Sequence, residues 1–155
     1  MACSAAALLS GCGFSPALRE GSPAANLQGV IQPDAPGSRV GFEFVANLEE
    51  RLGVARDPRY GLSYSLSLSA TGVGSTPSGE TARNNLLGSA TYNVYDLETQ
   101  RQLTTGTVQG FTGYSTTRLI VSSNSVDRDA RDRLMKILAE KVVAQLIQTA
   151  PDWMT

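Results

Sequence analysis

The sequence predicts an α+β two-layer sandwich: a four-stranded mixed or antiparallel sheet with two helices on one face, in the order strand, helix, three strands, helix. Three observations carry this. Residues 60–70 alternate apolar side chains with serine in strict period two, a pattern that suits only a strand with unlike faces. Two further alternating stretches follow at hairpin spacing, which makes an antiparallel meander. A long amphipathic helical pattern closes the chain, and a shorter one precedes the first alternating stretch. At 155 residues the chain is one domain's worth of length, enough to bury about two thirds of its unfolded surface.

The first residues read as an anchor. Leu9-Ser10-Gly11-Cys12 places an apolar residue three before a cysteine, with two small residues between that let a signal peptidase seat the backbone close to its catalytic groups. Cleavage there leaves Cys12 first in the mature chain, its thiol carrying a diacylglycerol thioether and its amine a third acyl chain. A single fourteen-carbon chain holds a protein to a membrane only reversibly, and each further buried CH2 adds about 0.8 kcal/mol, so three chains anchor it permanently. Residues 1–9 carry no Lys or Arg, and their apolar core, residues 5–9, is short of the roughly 7 to 15 residues of a secretory leader. An apolar N-terminus with a stray cysteine is the alternative. We read a truncated leader whose true start lies upstream, because Cys3 and Cys12 are the only cysteines and the body has none to pair.

The domain plan is then a signal segment over 1–11, a lipidated cysteine and flexible tether over 12–26, and a single α+β domain over 27–155. The tether is rich in Ser, Pro, Ala and Gly. A coil of about a dozen residues spans roughly 20 Å, enough to hold a domain clear of lipid headgroups.

Within the body, residues 27–32 are a first short strand, with Leu27, Val30 and Ile31 around Gly29, and Pro33 and Pro36 stop it. A helix follows: Ser38 caps it, Phe44 or Val45, Leu48 and Leu52 share a face, and Gly53 takes the left-handed position that ends it. In the clearest strand Leu62, Tyr64, Leu66 and Leu68 alternate with Ser63, Ser65, Ser67 and Ser69. Residues 71–80 read as a long hairpin tip. The return strand puts Leu86, Ala90, Tyr92 and Val94 on one face, with Leu87, Thr91, Asn93 and Tyr95 on the other. After a turn at 96–101, a third alternating strand runs over 102–114. Ser125 or Ser123 caps a last helix whose apolar arc runs through Leu134, Met135, Leu138, Ala139, Val142, Val143 and Leu146, and Pro151 ends it.

Composition excludes several classes. Lys+Arg 13 against Asp+Glu 14 gives a net charge of -1, with no basic stripe to neutralise a run of phosphates. There is no histidine, which removes the commonest general base, the commonest metal ligand and any Ser-His or Cys-His nucleophile pair. No acidic residue sits inside an apolar run where burial could tune it for proton transfer. We therefore expect no enzyme, no catalytic residue, no metal and no cofactor other than the lipid on Cys12.

With both helices on one face, the opposite sheet face is left bare. It carries Ser63, Ser65, Ser67, Ser69, Thr91 and Asn93, all small, hydrogen-bonding and uncharged. Two readings stay open: an ordinary solvent face, or a surface made inexpensive to desolvate so that a partner can cover it.

Four stretches, in order, resemble the short form of the lipopolysaccharide-assembly lipoprotein family, LptE. They are Gly11-Cys12-Gly13-Phe14-Ser15-Pro16; Thr81-Ala82-Arg83-Asn84-Asn85-Leu86-Leu87-Gly88-Ser89-Ala90-Thr91-Tyr92; Thr112-Gly113-Tyr114-Ser115; and Asp129-Ala130-Arg131-Asp132-Arg133-Leu134 running on to Leu138-Ala139. The resemblance implies an outer-membrane lipoprotein on the periplasmic side, its body a plug in the lumen of the β-barrel LptD, the pair delivering lipopolysaccharide to the outer leaflet. Glycine after the cysteine is similar to lipoproteins sent to the outer membrane. A barrel lumen is polar, so the resemblance favours the partner reading of the serine face. It also implies contact of basic residues with lipid phosphates, for which Arg83 and Arg118 are the nearest candidates, since residues 72–80 hold no basic residue. A rival reading is a periplasmic auxiliary lipoprotein of a lipid-transport ATPase or barrel-assembly complex; a stand-alone lipid-binding module is a third.

Overall fold

The computed structural model describes residues 22, 25–75, 81–115 and 120–154. Cys12, Arg118 and residues 76–80 lie outside them. The elements run β1 (Ile31–Pro33), α1 (Arg39–Leu52), β2 (Tyr60–Ser75), β3 (Thr81–Asp96), β4 (Gln102–Ser115) and α2 (Ile120–Trp153). The sheet order is β1-β2-β3-β4, with β1 parallel to β2 and the remaining pairs antiparallel. This is the α+β sandwich that the alternation predicts, with β1-α1-β2 as a parallel crossover in front of the meander.

Element ends differ from expectation in four places. Leu27 belongs to a 3-10 turn, Ala25–Leu27, and the first strand is Ile31–Pro33; Gly29, at φ 72, turns the chain between them. Proline can close a short edge strand because its missing N–H costs the ladder nothing on the open side. β2 and β3 pair as far as Ser75 opposite Thr81, so residues 71–75 of the expected tip, Gly72 and Gly74 among them, belong to the strand, and the rest of it lies outside the described residues. α2 begins at Ile120 and passes through both serines expected to cap it, since a serine inside a helix costs only a fraction of a kcal/mol. At its far end the helix continues past Pro151 to Trp153. The Met154 amide still reaches the Ala150 carbonyl at 2.9 Å. The Trp153 indole donates to Thr149 Oγ1 at 3.1 Å and meets the Tyr60 ring edge-on at 5.3 Å.

α1 follows its reading closely. Ser38 accepts from the Gly41 amide at 3.1 Å, and Phe44, Val45, Leu48 and Leu52 are buried. Gly53 ends the helix at positive φ as expected but with φ 76 and ψ 153, an extended exit in place of the left-handed one. All seven residues of the expected arc on α2 are buried as well. The arc lies across β4 and β3 and against α1, and no polar or charged side chain among the described residues is fully buried. α2 approaches this closely because Gly88 and Gly110 face each other across β3 and β4. A Cβ on Gly88 would stand 2.9 Å from Leu134 Cδ2, and one on Gly110 3.0 Å from Ile137 Cγ2. A helix of 34 residues and strands of 16 are each roughly 50 Å long by rise per residue, so helix and hairpin match in length.

Replacing Gly88 with valine forces a branched side chain into the space of Leu134 and Leu138. Overpacking of this kind costs about 1–3 kcal/mol, and urea unfolding is expected to show a lower midpoint with an unchanged slope.

Candidate functional site

The odd-numbered residues 63–71 of β2 and 83–95 of β3 point away from the helices, and β4 continues the same surface. Register joins them into rungs across three strands: Ser63, Asn93 and Thr105; Ser65, Thr91 and Thr107; Ser67, Ser89 and Gln109; Ser69, Leu87 and Phe111. The six residues expected on this face are therefore together on it. Ser65, Ser67, Ser69 and Thr91 are exposed, and Ser63 and Asn93 are half-buried. Residues 63–71, 85–95 and 105–113 contain no charged side chain at all.

Several of these polar groups are already bonded within the sheet. Ser63 Oγ donates to the Asn93 carbonyl at 3.4 Å, the hydroxyls of Thr91 and Thr107 are 3.0 Å apart, and Thr105 Oγ1 donates to the Tyr92 carbonyl at 2.8 Å. One atom is different: Asn93 Oδ1 is buried with no hydrogen-bond partner, a condition that costs about 1–3 kcal/mol. Hydroxyls that satisfy one another need little from water, which lowers the cost of covering the face.

Leu87 and Phe111 stand side by side among these hydroxyls, 45% and 69% exposed. They border a hollow of about 440 Å³ with Ser67, Ser69, Ser89 and Gln109, which continues round the β4 edge to Ile137 and Lys141 of α2. Periodicity put Leu87 on the face of Thr91 and Asn93; it could not place Phe111 beside it, because pairing register is not written in either strand separately.

The two ends of the face differ. Near β1, the Tyr95 ring lies over Gly61 and its hydroxyl donates to Asp34 Oδ1 at 3.2 Å. Partial burial first, and then the Asp34 charge and that hydrogen bond, hold the Tyr95 hydroxyl above its ordinary pKa. At the other end Arg83, exposed, sits between Val73 and Ser115. The expected companion, Arg118, lies outside the described residues, so the structure does not place the two together.

Charge collects instead on the helices and turns. Arg51 of α1 pairs with Glu140 of α2, and Asp127 and Asp129 pair with Arg131 and Arg133 at 2.8 and 3.2 Å along α2. Among the described residues there is no group of three or more His, Cys, Asp or Glu side chains able to hold a metal ion, and no helix long and apolar enough to cross a membrane.

No protein-family model matches the chain, and no curated protein sequence matches it. Solved structures do. A protein of Caulobacter crescentus CB15 described as a lipoprotein superposes with a TM-score of 0.67 at 18% identity, over 83% of this chain and 96% of that one. The rare lipoprotein B of Shewanella oneidensis gives 0.59 at 11% identity, over 79% and 96%. A minor lipoprotein of Acinetobacter baumannii gives 0.58 at 11% identity, over 77% and 90%. At these identities the likeness is one of fold.

If the bare face is surplus to folding, Ser65→Lys and Ser67→Lys should each leave the unfolding free energy of the isolated body within about 0.5 kcal/mol of the parent, as surface changes do. A loss of several kcal/mol in urea titration would mean that the face is covered within the chain itself.

Proposed function

We propose that this chain is the body of an outer-membrane lipoprotein, held to the periplasmic side by a lipid on Cys12, and that it acts without catalysis. In this reading it works as an LptE-like plug. Its bare sheet face seats in the lumen of the LptD barrel, and the pair assembles lipopolysaccharide at the outer leaflet. The observation that carries the reading is the sheet face left uncovered by the described residues: three strands wide, free of charge, partly bonded within itself and marked by one apolar pair.

The physics favours burial against a polar wall. A barrel lumen is lined by polar side chains, so a plug gains from hydroxyls and amides that can exchange hydrogen bonds and from the lack of charges that would need partners. Shared fold with the rare lipoprotein B and the minor lipoprotein supports the lipoprotein reading. Arg83, exposed at the far end of the face, is the residue we assign to contact with lipid phosphates, with Arg118 as its companion.

The test is recovery of the tagged full-length lipoprotein from detergent-solubilised envelope of a Gram-negative host. A large barrel protein is expected in equal amount, and Ser65→Lys combined with Ser67→Lys should cut its recovery about tenfold or more, equivalent to about 1.4 kcal/mol. Undiminished recovery removes the serine face from the contact, and inner-membrane ATPase subunits in place of a barrel overturn the reading. In the same preparation, mass spectrometry should find Cys12 as the acylated first residue; a free thiol within an uncleaved chain excludes the anchor.

A further inference from the structure

The two outermost strands of the sheet are built differently. β1 is three residues long and ends on Pro33, both of which blunt that strand's own edge against further pairing; it covers only Tyr60–Leu62 of β2, so among the described residues the outer side of β2 is open beyond them. β4 has 14 residues with no proline and no charge, and among the described residues no strand pairs with its outer side. The register irregularity opposite it, at Val94 and Tyr95, is confined to the end near the turn. A long, uncharged edge of this kind is what soluble chains ordinarily avoid.

Which backbone groups face outward follows from the hydrogen bonds. In an antiparallel pair, alternate residues bond to the neighbour, and those between point their N–H and C=O away from it. Tyr92, opposite Gly106, turns its carbonyl toward β4, where Thr105 Oγ1 meets it. Gln109, opposite Ser89, turns its carbonyl away, where Lys141 Nζ reaches it at 2.7 Å. The outward set is therefore Thr105, Thr107, Gln109, Phe111 and Gly113. Lys141 occupies one carbonyl of that set, and it does so from α2. The hollow bordered by Phe111, Ile137 and Lys141 runs beside this edge and gives room for side chains arriving next to it.

We propose that β4 is a docking edge at which an extended, uncharged segment of the partner barrel protein adds as a fifth strand, reading the five outward residues by main-chain hydrogen bonds and displacing Lys141 from Gln109. The identity of the partner rests on the barrel reading above; the edge does not. The added strand would continue the serine and threonine face, so edge and face belong to one contact, with Leu87 and Phe111 at its centre.

Hydrogen exchange resolved to single amides tests this on the free lipoprotein and on its detergent-purified complex. In the free protein the amides of Thr105, Thr107, Gln109 and Phe111 should exchange quickly. In the complex they should slow at least tenfold. Thr107→Pro should lower barrel recovery at least tenfold, because it removes an outward N–H that the internal ladder does not use. Thr107→Val, which keeps the N–H and loses only the hydroxyl, should lower it several-fold less than Thr107→Pro does; equal losses overturn the proposal, because the hydroxyl and not the N–H would then carry the contact. Lys141→Met, which frees the Gln109 carbonyl, should slow dissociation of the complex. If wild type recovers a barrel yet these amides stay fast and Thr107→Pro recovers it equally, the edge proposal fails while the plug reading stands. If no barrel is recovered with wild type, the plug reading fails first. Protection that appears in the free protein as its concentration rises would assign the edge to a second copy of the chain. Protection confined to the outward amides of Tyr64 and Leu66 on β2 would place the added strand on the other side. Either result overturns the proposal.

Discussion

The contact between the apolar arc of α2 and one side of β3 and β4 governs the rest of the molecule. It is made possible by Gly88 and Gly110, whose missing side chains let Leu134, Ile137 and Leu138 settle onto the strand backbones. α1 then closes the layer, with Phe44 against Tyr64 at 5.1 Å and Arg51 paired to Glu140. Both helices are consumed on that side. Nothing else among the described elements can reach the other, so the second face of the sheet is bare as a consequence of how the first is covered.

That asymmetry explains where polar and charged residues fall. The helix layer meets solvent on its outer side, where ion pairs such as Asp129 with Arg133 keep it soluble and contribute little to stability. The sheet face has hydroxyls and amides in place of ions. Serine and threonine can bond to one another or to neighbouring carbonyls, as Thr91 with Thr107 and Thr105 with Tyr92 do, whereas a lysine in the same position can donate but not accept and brings a charge. A strand meant only for water has no use for this restraint; charge would protect it better against unwanted pairing.

Much of this was legible in the sequence. Strict alternation over residues 60–70 specifies both the strand and the chemistry of its two faces, because a period of two has one structural meaning. The arc on α2 and the Ser38 cap were legible for the same reason: each is a local pattern with a local cause. What escaped was non-local or marginal. Pro151 marked an end that the Trp153 contact with Tyr60 overrides. The two serines that read as caps were absorbed by a helix already long enough to pass them. The meeting of Leu87 with Phe111 and the outward set on β4 depend on register, which is a property of strand pairs.

The face and the edge also constrain each other energetically. A polar surface that excludes charge gains little from burial by hydrophobicity alone, since hydroxyl rungs exchange one set of hydrogen bonds for another at small net benefit. Affinity must then come from a few places where contact is better than water: an aromatic and an aliphatic side chain that fill a pocket, and main-chain groups that find fixed partners. In the contact proposed above, Leu87 and Phe111 would supply the first and the outward groups of β4 the second, and both lie beside the same hollow. Specificity in that proposed contact would follow from the remainder of the face, where a partner bringing an unpaired charge would have to strip it of water against serines that cannot neutralise it.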